Sequence, residues 1–239
     1  MKKFLYATLL ITPIFLFSQS YHAFRLIFEY YKDQLQIVRY EEVFCEDGNK
    51  IVFVKVPKKV TWVKFEGKYY IGTNRTLKLS PPINDLEDIF YKYLYTHKIS
   101  EDFDGEITIS EKLFTIKAEK KDGMIKKIIR KFNDILTEMH FVYLPSNLTF
   151  EKVLSTFQLI NKSDIPLKIY NILDNFLWFS PKVLEDDLEI YAVDKNGEEV
   201  ILLLSKKKGT YKINDFYLTI KKASKSTREE IENEIGNLN

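Results

Sequence analysis

The feature that most constrains the fold is a succession of short apolar runs separated by turn signals. Leu35 to Cys45 and Lys50 to Val56 are rich in Val, Ile and Phe, and Glu46-Asp47-Gly48-Asn49 between them has hairpin composition. Val60 to Phe65 alternates, with Val60, Trp62 and Lys64 on one face and Thr61, Val63 and Phe65 on the other. Glu66-Gly67-Lys68 then turns the chain into Tyr69-Tyr70-Ile71. Both faces carry apolar residues, which predicts a sheet covered on both sides or folded round something. Pro81-Pro82 stops the sheet. Asn84 and Glu87 have capping-box spacing for an amphipathic helix from Asp85 to about Tyr95, with Ile89, Phe90, Tyr93 and Leu94 as its apolar stripe.

Strands resume at Glu106 to Ile109 and Leu113 to Ala118, and Lys121-Asp122-Gly123 leads into Met124 to Phe132. The charges of that last segment do not alternate strictly, so helix and strand both fit its pattern. The short turns on either side, the second at Asn133-Asp134, favour strand. Ile135 to Tyr143 closes a meander, and Leu144-Pro145-Ser146-Asn147 has the composition of a domain boundary. Beyond it, Asn196-Gly197 joins Asp187–Val193 to Glu199–Ser205, and Asn214-Asp215 joins Thr210–Ile213 to Phe216–Lys221. Ser226 with Glu229 caps a closing helix from Thr227 to Leu238. The resulting class is mainly β, of α+β type, with domains at 21–144 and 145–239.

Residues 1–20 read as a signal peptide: Lys2 and Lys3 precede an apolar run from Phe4 to Phe17, and Ser18 and Ser20 supply a small-residue cleavage site. The expected location is the periplasm, with cleavage near Ser20. An uncleaved anchor helix is the other reading of this run. Without Lys2 and Lys3 the 36 basic residues fall to 34, equal to the 34 acidic ones. A neutral chain gives no support to nucleic-acid binding, which relies on a surplus of Lys and Arg. The single cysteine, Cys45, forms no intrachain disulfide and reads as a small buried hydrophobe.

The inventory argues against catalysis. His22, His97 and His140 are widely separated and make no metal-ligand spacing with one another or with Cys45. No G-x-S-x-G elbow or Gly-rich phosphate loop is present. The expectation is a non-enzymatic chain with no metal and no cofactor.

Taken in order, these pieces resemble the MucB/RseB family of periplasmic sigma-E regulators and, more broadly, the LolA-like half-barrel superfamily. The likeness begins at Leu26-Ile27-Phe28-Glu29-Tyr30-Tyr31 and Val38-Arg39-Tyr40. It continues through the Val60 to Ile71 hairpin and Leu113 to Tyr143, ending on Thr137-Glu138-Met139-His140-Phe141. Trp178-Phe179-Ser180 and Phe216 to Leu238 resemble the family's smaller C-terminal domain. The resemblance implies an antiparallel half-barrel curled over an inserted helix, with an apolar concavity for acyl chains. Trp62, Tyr69 and Tyr93 are the candidates to line it; in a solid aromatic core the same three would simply pack. The implied function is a sensor that binds the periplasmic segment of a membrane anti-sigma factor and responds to lipid or acylated lipoprotein. A lipid or lipoprotein carrier and a structural envelope assembly factor are the alternatives.

Overall fold

The computed structural model describes residues 20–162, 167–184 and 187–236. The expected signal segment, Ser20 apart, lies outside the described residues, and the first strand starts at Tyr21. Six strands form an antiparallel meander: β1 (Tyr21–Tyr31), β2 (Gln34–Glu46), β3 (Asn49–Val56), β4 (Val60–Phe65), β5 (Lys68–Gly72) and β6 (Thr76–Ser80). Helix α1 (Leu86–Thr96) then carries the chain to β7 (Gly105–Ser110), β8 (Phe114–Lys121), β9 (Met124–Phe132) and β10 (Ile135–Leu144). This second meander returns so that β10 pairs with β1, with His22 opposite Leu144. Met124 to Phe132 is thus a strand.

The turn chemistry explains the register. Asp47-Gly48 and Asp122-Gly123 adopt positive φ at both positions, 49° and 78° in the first and 54° and 74° in the second. That is the backbone of a two-residue hairpin turn whose twist matches its strands. A one-residue slip would reverse every face, so these turns decide which side chains meet under α1.

The sheet continues past the expected boundary. Helix α2 (Phe150–Leu154) leads to β11 (Gln158–Ile160), which pairs in parallel with β6 and completes an 11-stranded sheet ending at β7 and β11 without closing into a barrel. The last strand of this sheet thus lies beyond Leu144, where the division was expected. The physical reason is burial: Phe150 and Val153 cover Phe44, Ile51, Val63, Tyr70 and Leu77 on one face of the sheet.

Helix α1 covers the other face. Its Leu86, Ile89, Phe90, Tyr93 and Leu94 pack on Ile27, Ile116, Ile128, Met139 and Phe141. The apolar content on both faces of β3 follows from this double cover, with Ile51 and Val52 both fully buried.

The second sheet has five strands in the order β12 (Trp178–Leu184), β13 (Asp187–Val193), β14 (Glu199–Ser205), β16 (Phe216–Lys222) and β15 (Tyr211–Ile213). Helices α3 (Leu167–Asp174) and α4 (Lys225–Gly236) share its core through Ile169, Ile172, Ile231 and Ile235. The cap of α4 is Ser224, whose Oγ accepts from Thr227 N at 3.2 Å, two residues before the expected Ser226. Residues 237–238 of the expected closing helix lie outside the described residues. The architecture is mainly β, with two sheets and helices packed on each.

Candidate functional site

Register brings dispersed polar residues into one line. Tyr21 lies opposite Cys45, Cys45 opposite Lys50, Lys50 opposite Lys64 and Lys64 opposite Tyr69, forming a row across β1 to β5. Because alternate residues share a face, the next row beneath α1 holds Ala23, Val43, Val52 and Trp62, and the third holds Arg25 and Glu41.

The N-terminus of α1 lowers three carboxylates onto this floor. Asp85 is the N-cap, accepting from Glu87 N at 3.2 Å, so Asn84 is not the capping residue expected from the spacing. Arg25 Nη1 donates to both oxygens of Asp85 at 2.9 Å, while its Nε and Nη2 donate to Glu41 at 3.0 and 2.6 Å. Lys50 Nζ donates to Asp85 at 3.2 Å, Glu87 at 2.7 Å and Asp88 at 2.5 Å, and Lys64 donates to Asp88 at 3.0 Å. Tyr21 completes the network through its hydroxyl, 2.5 Å from Glu87. The positive end of the helix dipole favours carboxylates here, as do the cations beneath.

These contacts fix the charge states. Burial would raise the pKa of Asp85, but Arg25 and Lys50 overcome it and hold the carboxyl well below the usual range. Burial would likewise depress Arg25 and Lys50, and their carboxylate partners raise both instead. Burial pushes the Cys45 thiol up to about 12. Each ionised group is committed to a partner of opposite sign, and the thiol is inert at neutral pH.

Above the network lies a cavity of about 430 Å³, bounded by Lys50, Lys64 and Tyr69 on the sheet, Ile89 and Tyr91 on α1, and Leu173, Phe176 and Leu177 from the second unit. It sits where the two units meet, and polar clamps hold that seam. Asn84 pairs with the Phe179 backbone, its Nδ2 donating to the carbonyl and its Oδ1 accepting from N at 3.3 Å. Lys92 donates to the carbonyls of Asp174 and Phe176, the latter at 3.1 Å. Lys112 reaches Glu198 at 2.6 Å.

The three aromatic candidates separate. Tyr69 lines the large cavity. Trp62 packs with Val43, Val52 and Val54 and faces a smaller cavity, of about 160 Å³, on the same side of the sheet. Tyr93 is wholly buried in the α1 core, stacked on Phe114 at 5.1 Å, and lines neither space. Its place on the apolar face of α1 sets the ring in the core against the large sheet. Arg25 and Lys50 were not singled out from sequence, where the available signal was a charge at a core-facing position of an alternating strand; Asp85 and Glu87 were read only as the start of the helix and its capping-box acid. The histidines remain dispersed, each within 3.3 Å of its own carboxylate: His22 with Glu42, His97 with Glu111, and His140 with Glu138.

No protein-family model matches the chain, and no curated protein matches it. A solved structure of PNGF-II matches with 10% identity and a TM-score of 0.33, over 82% of this chain and 42% of that one. The chain thus spans less than half the length of that structure, and a likeness this slight bears on neither fold nor function. Among the described residues no helix is long and apolar enough to cross a membrane.

Proposed function

We propose that the chain is an exported, non-enzymatic binding protein of the LolA-like half-barrel type, with a smaller C-terminal unit as in the MucB/RseB regulators. The observation that carries this reading is the position of the 430 Å³ cavity, enclosed jointly by the sheet, α1 and the second unit. That volume lies within the range of small-molecule sites, about 300–1,000 Å³. Its walls combine apolar groups, Ile89, Leu173, Phe176 and Leu177, with the Lys50 and Lys64 ammonium groups. The acyl chain of a lipid or lipoprotein suits the apolar wall, while the ammonium groups stay paired with Glu87 and Asp88.

A ligand seated there touches both units, so its binding shifts their equilibrium arrangement wherever it binds one arrangement more tightly. In the sensor reading, that shift releases the periplasmic segment of a membrane anti-sigma factor. The neutralised charge network supports a non-enzymatic role, since no carboxylate, amine or thiol in it is free to act as base or nucleophile. Titration of the full chain with a fluorescent fatty acid tests the reading. Saturable binding that weakens in Tyr69→Ala is expected, and an unsaturable wild-type response overturns it.

A further inference from the structure

Two arginines are buried on the α1 side of the large sheet, and they differ in one respect. Arg25, 1% exposed, commits Nε, Nη1 and Nη2 to Glu41 and Asp85. Arg130, 8% exposed, makes one hydrogen bond among the described residues, from Nη2 to Thr137 Oγ1 at 2.7 Å. Its Nε is buried without a partner among the described residues. The nearest carboxylate, Glu29, stands 4.0 Å from Nη2, too far for a hydrogen bond. A guanidinium has five N–H donors, and leaving a buried charge this poorly satisfied is costly.

We infer that the 160 Å³ cavity lined by Arg130 is a binding site for a small carboxylate, taken by the unsatisfied guanidinium. Cross-strand register assembles it: Arg130 lies opposite Thr137 and Thr137 opposite Glu29, while Met139, Ile27 and Arg39 form the adjacent row. A carboxylate matches the planar fork of a guanidinium through two parallel hydrogen bonds. The remaining walls, Trp62, Trp178, Met139 and Ile27, are suited to a short apolar body. An apolar cavity of about 150 Å³ admits benzene, so the ligand has about six heavy atoms.

The acidic groups facing this cavity do not fill the role. Glu41 and Asp85 are taken up by Arg25 and Lys50. Arg39, at 38% side-chain exposure, stands 3.5 Å from Glu41 and leaves Arg130 to the ligand. Glu29, with 30% of its side chain exposed, is the resident competitor. The rings of Phe114 and Trp178 flank the guanidinium at 6.0 and 5.9 Å. Burial lowers the Arg130 pKa to about 10, against the pull of Glu29 and with a small push from Arg39, so it remains charged at neutral pH. This site adjoins the proposed lipid cavity at Ile83, Asn84 and Asp85, but it turns on Arg130, which does not line that cavity, so the two readings are tested independently.

The chain's two tryptophans, Trp62 and Trp178, both line this cavity, so intrinsic fluorescence reads its occupancy. The full chain is titrated with butyrate and with the neutral isostere butyramide. Saturation is expected with butyrate and not with butyramide. Arg130→Gln is expected to weaken butyrate about tenfold or more, the scale of a charged hydrogen bond. Glu29→Gln, a partly exposed change that leaves the core intact, is expected to tighten it by removing the competitor. Equal responses to butyrate and butyramide overturn the proposal. So does unchanged butyrate affinity in a folded Arg130→Gln chain, or weaker binding in Glu29→Gln.

Discussion

Arg25 and Asp85, 60 residues apart in sequence, meet through two 2.9 Å hydrogen bonds from a single guanidinium nitrogen, with both side chains at 1% exposure or less. The contact ties β1 to the first turn of α1, so one carboxylate both caps the helix and neutralises the sheet. Removing it leaves Arg25 hydrogen-bonded to Glu41 alone, with Glu87 3.5 Å away, and takes one of three acceptors from Lys50. Asp85→Ala is expected to lower stability by about 3–5 kcal/mol. The exposed pair Lys195–Glu230, at 50% and 49% side-chain exposure, sets the contrast: Lys195→Met is expected to cost under about 1 kcal/mol. Urea unfolding of both variants measures the difference, and equal costs contradict the assigned role of Asp85.

The network sets the acid limit of stability, and buried tyrosines in and around it set the alkaline one. Asp85 and Asp88 have folded pKa values below the ordinary aspartate value of 3.8, so their stabilisation is fully present above it and is lost as pH falls through the lowered values. Tyr21, Tyr69 and Tyr143 are raised above the phenol value of 10.0, chiefly by burial, so stability is full below that value and falls as pH rises beyond it. The urea midpoint is therefore expected to stay level from about pH 5 to 9 and to decline on both sides. A steep change near pH 6.5 would assign the control to a histidine instead.

The strands were legible where turn chemistry and alternation agreed. Asp47-Gly48, Glu66-Gly67 and Asp122-Gly123 marked hairpins that the structure contains, with each glycine at positive φ. The apolar stripe of α1 was equally clear, because Ile89, Phe90, Tyr93 and Leu94 must face a core at helical spacing. The cap was misplaced by one residue because Asn84, with the right composition, is used instead to clamp Phe179, 95 residues away. β11 is three residues long and pairs in parallel through a long-range contact, so no local periodicity announces it. The charge network was hidden for a related reason: Arg25, Lys50 and Asp85 are ordinary polar residues until register places them together.

The late limit of the first sheet has its own consequence. Ending the chain at Leu144 leaves β6 as an exposed edge and uncovers Leu77, Val63 and Ile51, which Phe150 and Val153 otherwise protect. Full burial of each such side chain is worth about 1.5–3 kcal/mol. A chain of residues 21–162 is expected to be more soluble and to melt at a higher temperature than one of residues 21–144. Identical melting curves would show that α2 and β11 add nothing to the sheet.

Tyr93 offers the sharpest test of core against cavity. Its ring stacks on Phe114, while its hydroxyl is buried with no hydrogen-bond partner among the described residues. An unsatisfied buried hydroxyl costs about 1–3 kcal/mol, so replacing it by hydrogen at constant ring shape removes a penalty. Tyr93→Phe is therefore expected to leave stability unchanged or to raise it. Tyr93→Ala deletes the ring and opens a void, with an expected loss of about 3–5 kcal/mol. Neither change is expected to alter fatty-acid affinity in the folded chain, because Tyr93 lies outside the lining of the large cavity. Denaturant melts and ligand titrations on the same preparations decide the matter: a destabilising Tyr93→Phe would reveal a partner for the hydroxyl, and a weakened ligand would return Tyr93 to the cavity wall.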